Sequence, residues 1–172
     1  MAWDLVYPAE GTTFSVGSNS VGITRINFDA LPLTDCGPRD SSNPLIAQAA
    51  QQLKAYFAGS LQVFTVPLDL HGTPFQRRVW EALLEIPYGR TISYKELAGR
   101  VGSPNGFRAA GAANGRNPVP IMVPCHRVIE SGGGLGGFGG GLELKRRLLD
   151  LESGAPLQKW LPTSIRGMLR AR

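Results

Sequence analysis

The segment VPCHRVIE, residues 123–130, places one of the two cysteines of the chain beside one of its two histidines. A thiol next to an imidazole is a nucleophile next to a base, and a basic neighbourhood favours the thiolate. Pro124 and two prolines shortly before it stiffen the backbone that carries the pair, which positions a nucleophile. The pattern predicts a reaction centre at Cys125 and His126. The alternative is an inert, buried thiol.

Residue counts disfavour a metal site and a protease centre at this pair. A structural zinc site needs about four thiolate or imidazole ligands in paired spacings. The other cysteine and histidine, Cys36 and His71, stand in unrelated contexts, so we expect no metal. A cysteine protease needs a base, an orienting Asn or Asp and an oxyanion hole. His71 could serve as the base, but nothing else in the sequence supports a protease centre. Glu152, on the following helix, is a candidate to fix the tautomer of His126.

Charge is distributed unevenly along the 172 residues. Residues 1–86 carry 5 basic and 8 acidic side chains, a net charge of −3, whereas residues 87–172 carry 13 and 5, a net charge of +8. Arginine, which makes forked contacts to phosphate, outnumbers lysine 14 to 4. The back half is therefore expected to meet a polyanion such as nucleic acid, with a solvated basic face as the alternative.

Composition excludes several classes of protein. A hydrophobic content of 42% supports a packed core. No apolar run approaches the roughly 20 residues that a membrane span requires. The start, MAWDLVYPAEG, lacks the features of a secretory signal. Two cysteines 89 residues apart form no disulfide framework, so we expect a reduced, cytoplasmic setting and no membrane partner.

The elements that must position the pair fall into two units. Residues 1–70 predict a small α+β unit: a hairpin over 12–28, a helix that begins at Asn43 and ends at Gly59, and a strand over 61–70. Residues 71–154 predict a helical unit, and residues 155–172 form a basic tail.

Two short helices in the second unit predict a helix-turn-helix. The first begins at Ser93, for which Glu96 completes a capping box, and the second is rich in alanine and glycine. That second helix lacks side chains able to read base edges, which favours a narrow minor groove, with Arg108 at its start as an inserted side chain. Close packing of helices accounts for its small residues equally well. The glycines of 131–141 predict either a flexible linker or a loop that approaches a flat ligand.

Three stretches together resemble the O6-alkylguanine-DNA alkyltransferases: NPVPIMVPCHRVI, FQRRVWEALLEIPYGRTISYKELA and GGFGGGLELKRRLLDLE. The resemblance covers about residues 56–152, and the N-terminal unit matches only loosely. It implies an α+β fold, in which a small ribonuclease H-like α/β unit precedes a helical unit with a helix-turn-helix and the active-site cysteine. It also implies direct-reversal DNA repair without a cofactor. An alkyl group would pass from O6 of guanine, or O4 of thymine, to the protein in a single turnover.

The resemblance implies a role for each matching catalytic position. Cys125 would accept the alkyl group from a base flipped out of double-stranded DNA. His126 would be its base, through a water molecule, and Glu152 would orient that histidine. Tyr94 would crowd the 3′ phosphate and donate to the departing guanine.

The same resemblance implies the DNA contacts and the substrate pocket. Arg108 would fill the vacated stack, and Asn117 would be the hinge between the recognition helix and the active-site segment. The carbonyls of Cys125 and Val128 would accept from the guanine amine. The remaining expected contacts to DNA are Lys95, Ser103, Ala109, Ala113 and Ser131, and those to the alkylated base are Phe138 and the N–H of Gly139.

Departures from the family pattern leave alternatives in place. Some relatives have Tyr at the position of Phe138 and Ser at that of Gly139, so the polarity of the pocket differs, and the zinc ligands that some relatives carry are missing here. A non-catalytic damage-binding protein of the same fold is the second interpretation, although its known examples lack the cysteine. A general helix-turn-helix module with an inert cysteine is the third. A monomer that clusters along DNA is expected.

Overall fold

The computed structural model describes residues 1–154, and the predicted basic tail, residues 155–172, lies outside the described residues. The chain begins with an antiparallel sheet of three strands in the order β1–β2–β3: β1, Ala2–Ala9; β2, Thr12–Ser18; β3, Ile23–Asn27. Strands β2 and β3 confirm the predicted hairpin. Strand β1 was not expected, because Asp4 and Pro8 interrupt its apolar pattern.

Helix α1, Pro44–Phe57, covers this sheet and begins where the sequence predicts. The side chain of Asn43 accepts hydrogen bonds from the N–H groups of Leu45 and Ile46, which satisfies two donors that have no partner within the helix. One face of α1 is buried against β1 and β2, and it carries Ile46, Ala49, Leu53 and Tyr56.

The strand predicted over residues 61–70 is wrong. The segment is irregular and makes a single bridge, between Leu68 and Ile23. The N–H of Ile23 donates to the carbonyl of Pro67 at 2.8 Å, and the N–H of Asp69 donates to the carbonyl of Ile23 at 2.9 Å. Pro67 has no N–H of its own, so a regular ladder does not extend through it.

Four helices build the second unit: α2, Pro74–Leu84; α3, Tyr94–Arg100; α4, Phe107–Gly115; α5, Gly141–Ser153. Two strands of two residues, β4 at Ile92–Ser93 and β5 at Val128–Ile129, pair in parallel and join the active-site segment to the start of α3. Within residues 1–154, no helix has the length and apolar character to cross a membrane.

Helices α3 and α4 pack together through a turn at Gly102 and form the predicted helix-turn-helix. The Ser93 hydroxyl accepts from the N–H of Glu96 at 3.0 Å. The carboxylate of Glu96 bonds Arg100 at 2.7 Å, so the expected reciprocal half of the capping box is replaced by an ion pair along the helix. Helix α4 also packs on α2, where the indole N–H of Trp80 donates to a carbonyl of α4 at 2.9 Å.

Candidate active site

Cys125 begins a single 3-10 turn, Cys125–Arg127, between Pro124 and strand β5. It is 5% exposed and lines a cavity of about 390 Å³. The helix-turn-helix forms one side of that cavity and the glycine-rich segment another. Its lining residues are Phe28, Tyr94, Gly111, Asn114, Gly115, Asn117, Pro120, Cys125, Glu130, Gly136, Gly137, Phe138 and Gly139.

Asn117 holds the turn that delivers Cys125 to the cavity. Its side-chain amide donates to the carbonyl of Val123 at 2.8 Å, and its side-chain oxygen accepts from the N–H of Val119 at 3.0 Å. Inside this turn Ile121 has φ of 75°, a strained conformation for a β-branched residue. Asn117 thus lies between α4 and Cys125, at the position that the resemblance assigns to a hinge between the recognition helix and the active-site segment.

The environment of the Cys125 thiol differs from the sequence-based expectation. Burial raises its pKa to about 11, and the hydrogen bond from Asn117 and the charge of Lys145 only partly oppose this effect. The basic surroundings therefore do not create a resting thiolate, because loss of hydration outweighs them. A base must take the proton when the thiol reacts.

His126, the next residue in the chain, is the candidate for such a base. Its ring is fully buried, and its Nε2 lies 2.8 Å from Oε1 of Glu152. A carboxylate accepts only, so the proton sits on Nε2 and the lone pair sits on Nδ1. Among the described residues, Nδ1 of His126 is buried without a hydrogen-bond partner. Burial lowers the pKa of His126 below its ordinary value of 6.5, so the ring is neutral and basic at pH 7.

Glu152 is held by donors on every side. Arg127 binds it in a fork, with Nε to Oε2 at 2.8 Å and Nη2 to Oε1 at 2.9 Å. The hydroxyl of Tyr56 donates to Oε1 at 2.7 Å and the N–H of Gly89 to Oε2 at 3.1 Å. Burial alone would raise the pKa of Glu152, but its bonds to His126 and Arg127 together hold that pKa at about 2. The carboxylate is therefore ionised throughout the neutral range and fixes the tautomer of His126.

Sequence reasoning missed two members of this cluster, Tyr56 and Arg127. Tyr56 lies on α1, in the N-terminal unit, and its hydroxyl is also 3.4 Å from Nε2 of His126. Nothing in the local sequence links it to a histidine 70 positions away. Arg127 adjoins the Cys-His pair, and a charged residue inside an apolar run was an available signal.

Lys145 was also missed. It is fully buried, and its ammonium group donates to the carbonyls of Val128 at 2.6 Å, of Leu135, and of Gly137 at 3.4 Å. Burial lowers its pKa to about 8. Lys145 lies on the stripe of α5 that carries Leu148, where a charged residue signals a specific partner. It ties the glycine-rich segment to the core and contributes positive potential near the thiol.

The predicted pocket residues are placed as follows. Tyr94, Phe138 and Gly139 line the cavity with Cys125. Val128 is fully buried and does not line the cavity, and its carbonyl accepts from Lys145, so its contact with the guanine amine stays a prediction. Burial raises the pKa of Tyr94, so its phenol stays protonated and able to donate.

The residues that were predicted to contact DNA differ in how far they are exposed to solvent. Arg108 and Ala109 are exposed on α4, and Lys95 on α3 and Ser131 in the glycine-rich segment are exposed nearby; Ser103, in the turn, is half-buried. Ala113 is only 2% exposed, so its side chain presents almost no surface to DNA, and its contact with DNA stays a prediction.

Phe107 is an exposed residue on α4 that no sequence motif singles out. Its side chain is 48% exposed, and the guanidinium of Arg108 lies over its ring at 5.9 Å. Phe107 and Arg108 are therefore exposed together at the start of α4.

In the part of the chain that the structure describes, no group of three or more His, Cys, Asp or Glu side chains has the arrangement of a metal site.

Two family models match the chain. The model of the 6-O-methylguanine DNA methyltransferase ribonuclease-like domain matches residues 12–70, and that of the DNA binding domain of the same proteins matches residues 74–154. The chain belongs to the 6-O-methylguanine DNA methyltransferase family. Membership accounts for the small N-terminal sheet and for the helix-turn-helix beside Cys125.

Curated relatives within the family match about three fifths of this chain, and the chain spans somewhat less than two thirds of the first of them. The methylated-DNA--protein-cysteine methyltransferase of Mycobacterium tuberculosis (strain ATCC 25618 / H37Rv) is 61% identical over 104 residues, which are 60% of this chain and 63% of the relative. The constitutive methylated-DNA--protein-cysteine methyltransferase of Bacillus subtilis is 52% identical over 110 residues, 63% of this chain and 67% of the relative.

A solved structure of the family extends the match to the whole fold. Mycobacterium tuberculosis OGT, in a crystal structure in complex with DNA, superposes with a TM-score of 0.80 at 40% identity, over 96% of this chain and 98% of that one. The α+β fold expected from the sequence is confirmed.

Proposed function

We propose that this protein repairs alkylated DNA by direct reversal: it moves an alkyl group from O6 of guanine, or O4 of thymine, to its own Cys125. The observation that carries the proposal is a buried thiol at the edge of a base-sized cavity, beside the His126–Glu152 pair and under a helix-turn-helix. The name of the Mycobacterium tuberculosis relative and its complex with DNA support both the reaction and the partner.

The reaction is a substitution at carbon. The thiol proton passes to Nδ1 of His126 through one water, while Sγ of Cys125 attacks the alkyl carbon and forms the C–S bond. The C–O6 bond breaks, its electron pair remains on the purine, and the purine takes at its ring nitrogen the proton that His126 gives up again through water, so that the thiol proton ends on the released base. Glu152 stabilises the transient imidazolium, and the protonated Tyr94 donates to the leaving base. The thioether is stable, so each molecule reacts once and needs no cofactor.

The pocket residues recognise the flipped base. In this proposal the carbonyl of Cys125 accepts from the exocyclic amine, the N–H of Gly139 faces O6, and Phe138 contacts the alkyl group. These three residues line one cavity. The cavity is mostly apolar, which suits an alkyl substituent better than water.

Helix α4 supplies the DNA-binding surface in the proposal. Its exposed residues are small apart from Phe107, Arg108 and the Arg116 that follows it, so the helix approaches a narrow groove closely. Arg108 fills the space that the flipped base vacates, and Lys95, Ser103 and Ser131 contact phosphates. A monomer is the proposed active form.

We also propose separate roles for the two units of the chain and a cytoplasmic location. Residues 1–70 support the site from one side, through Tyr56, and residues 71–154 carry the chemistry and the DNA contacts. Cys36 and Cys125 are both free thiols, and an acceptor thiol works only while it remains reduced. A cytoplasmic location fits that requirement.

Replacement of Arg108 by alanine should slow transfer from duplex DNA by about tenfold or more, since the inserted side chain offsets part of an unstacking cost of roughly a few kcal/mol. Transfer from a single strand, where no vacated stack has to be filled, should change little. Single-turnover rates on the two substrates measure the difference. Arg90→Ala, an exposed arginine outside α4, is the control. Equal slowing on both substrates would remove the proposed role of Arg108.

The pH dependence of transfer follows from the two shifted groups. Burial lowers the pKa of His126 below 6.5, so acid should stop the reaction only when the pH falls through that lowered value. The pKa of Cys125, at about 11, keeps the thiol protonated across the neutral range, so a rate limited by transfer to His126 should be flat from about pH 7 up to the pKa of Lys145, at about 8, where the loss of that nearby charge begins to act. Single-turnover rates against pH test this. A rise of about tenfold per pH unit would mean that the thiol ionises to solvent instead.

Nucleoside analysis of the DNA tests the proposed function itself. Incubation with a duplex that carries one O6-methylguanine should remove the lesion at one per protein molecule and leave guanine. Tight binding with the lesion intact would favour the non-catalytic damage-binding protein. Binding without preference for the lesion would favour a general helix-turn-helix module.

A further inference from the structure

The cavity at Cys125 has one wall from the N-terminal unit. Among its described lining residues, Phe28 alone precedes residue 94. It follows strand β3 directly, so the sheet fixes its backbone. Phe138, whose ring packs against that of Phe28, and Pro120 also contribute apolar lining. Tyr94 and α4 also line the cavity, and in the proposed function the base enters past them.

A second cleft, of about 300 Å³, adjoins the first. It lies between the β1–β2 turn and the start of α5, and it is lined by Gly11, Thr12, Thr13, Phe14, Phe28, Gly140, Glu143, Leu144 and Arg147. Among the described residues, Phe28 is the one that both cavities share. Its ring is therefore the partition between the space at Cys125 and the space behind it.

The ring of Phe28 is held on both sides. Its centroid lies 5.2 Å from that of Phe138 and 5.4 Å from that of Phe14, the latter edge to face. The loop that carries Gly139 and Gly140 passes so close that a Cβ on Gly140 would lie 3.0 Å from the ring. These contacts make the partition rigid, since aromatic pairs of this geometry stabilise one arrangement.

We propose that Phe28 sets the upper size of the alkyl group that the protein accepts, an inference that rests on the proposed transfer to Cys125. A flipped purine occupies the side formed by Tyr94 and α4, so the substituent on O6 points past Cys125 toward Phe28, Pro120 and Phe138. A methyl group fits in front of the ring. A benzyl group meets the ring, and the further space in that direction is the second cleft.

The test compares O6-methylguanine and O6-benzylguanine in the same duplex by single-turnover kinetics. Phe28→Ala joins the two cavities, so the ratio of the benzyl rate to the methyl rate should rise by about tenfold or more, the effect of removing bulk from an apolar pocket. Phe28→Trp should lower the same ratio. Leu144→Ala enlarges only the second cleft and should leave the ratio at its wild-type value.

The outcomes separate this inference from the function on which it rests. An unchanged ratio in both Phe28 variants, with methyl transfer present, would overturn the role of Phe28 and leave the proposed function standing. A wild-type protein that transfers neither group would overturn both. Thermal unfolding of each variant identifies one that fails to fold. Phe28→Leu, which keeps most of the apolar contact, then takes the place of Phe28→Ala, with a smaller rise expected.

Discussion

Replacement of Cys125 by alanine is expected to abolish alkyl transfer completely while DNA binding is retained. The thiol is the acceptor in the proposed reaction, so no residual route remains once Sγ is removed. The surface of α4 and the exposed Lys95 are untouched by the change. Transfer from a labelled O6-methylguanine duplex and the affinity for the same duplex are the two measurements.

Cys36→Ala is the matched control for that variant. Both cysteines are free and buried, and burial raises the pKa of both. Cys36 packs with Trp3 and Leu33 in a separate apolar cluster, away from the Cys125 cavity. Its alanine variant should transfer at the wild-type rate. Residual transfer by Cys125→Ala, or its loss in Cys36→Ala alone, would show that the acceptor is misassigned.

Replacement of Glu152 by glutamine should lower both the stability of the fold and the rate of transfer. The carboxylate receives hydrogen bonds from Tyr56, Gly89, His126 and Arg127, all of which are donors. A glutamine amide would present its own N–H groups to one of them and leave Arg127 buried without an anion. Loss of one partner of a buried ion pair costs about 3–5 kcal/mol of unfolding free energy, and loss of the carboxylate that orients His126 and stabilises its charged form should slow transfer at least a hundredfold.

Glu143→Gln is the control for this prediction, because Glu143 is exposed on the same helix, α5. Its unfolding midpoint and transfer rate should equal those of the wild type. Denaturant unfolding and single-turnover transfer give the two numbers. A Glu152→Gln protein as stable as Glu143→Gln would mean that the buried cluster contributes little to the fold.

Local signals account for the elements that the sequence predicts correctly. Asn43 with Pro44 and Thr73 with Pro74 start helices through contacts within a few residues, so α1 and α2 begin where expected. The strand over 61–70 fails for a local reason as well, since Pro67 removes a donor that regular pairing requires.

The arrangement of the site depends on contacts that are distant in sequence. The contact between His126 and Glu152 was predictable because the family pattern supplied both positions. Tyr56 reaches them from the other unit, and Lys145 reaches the glycine-rich segment from α5. Neither contact can be predicted from the residues that are adjacent to it in the sequence.

Two expectations did not take burial into account. The basic residues near Cys125 predicted a thiolate, whereas loss of hydration keeps the thiol protonated. Ala113 was grouped with its exposed neighbours on α4, but the helical repeat turns Ala110 and Ala113 to the core and Ala109 and Ala112 to solvent. That periodicity was available in the sequence.

Peptide mass spectrometry after reaction with DNA that carries O6-methylguanine tests the central claim most directly. Transfer to Cys125 should add one methyl group, a gain of about 14 Da, to the peptide that contains Cys125, with one methyl group per molecule when the lesion is in excess. The peptide that contains Cys36 should keep its mass. An unmodified Cys125 under conditions in which the protein binds the lesion, or a methyl group on any other residue, would contradict transfer to Cys125.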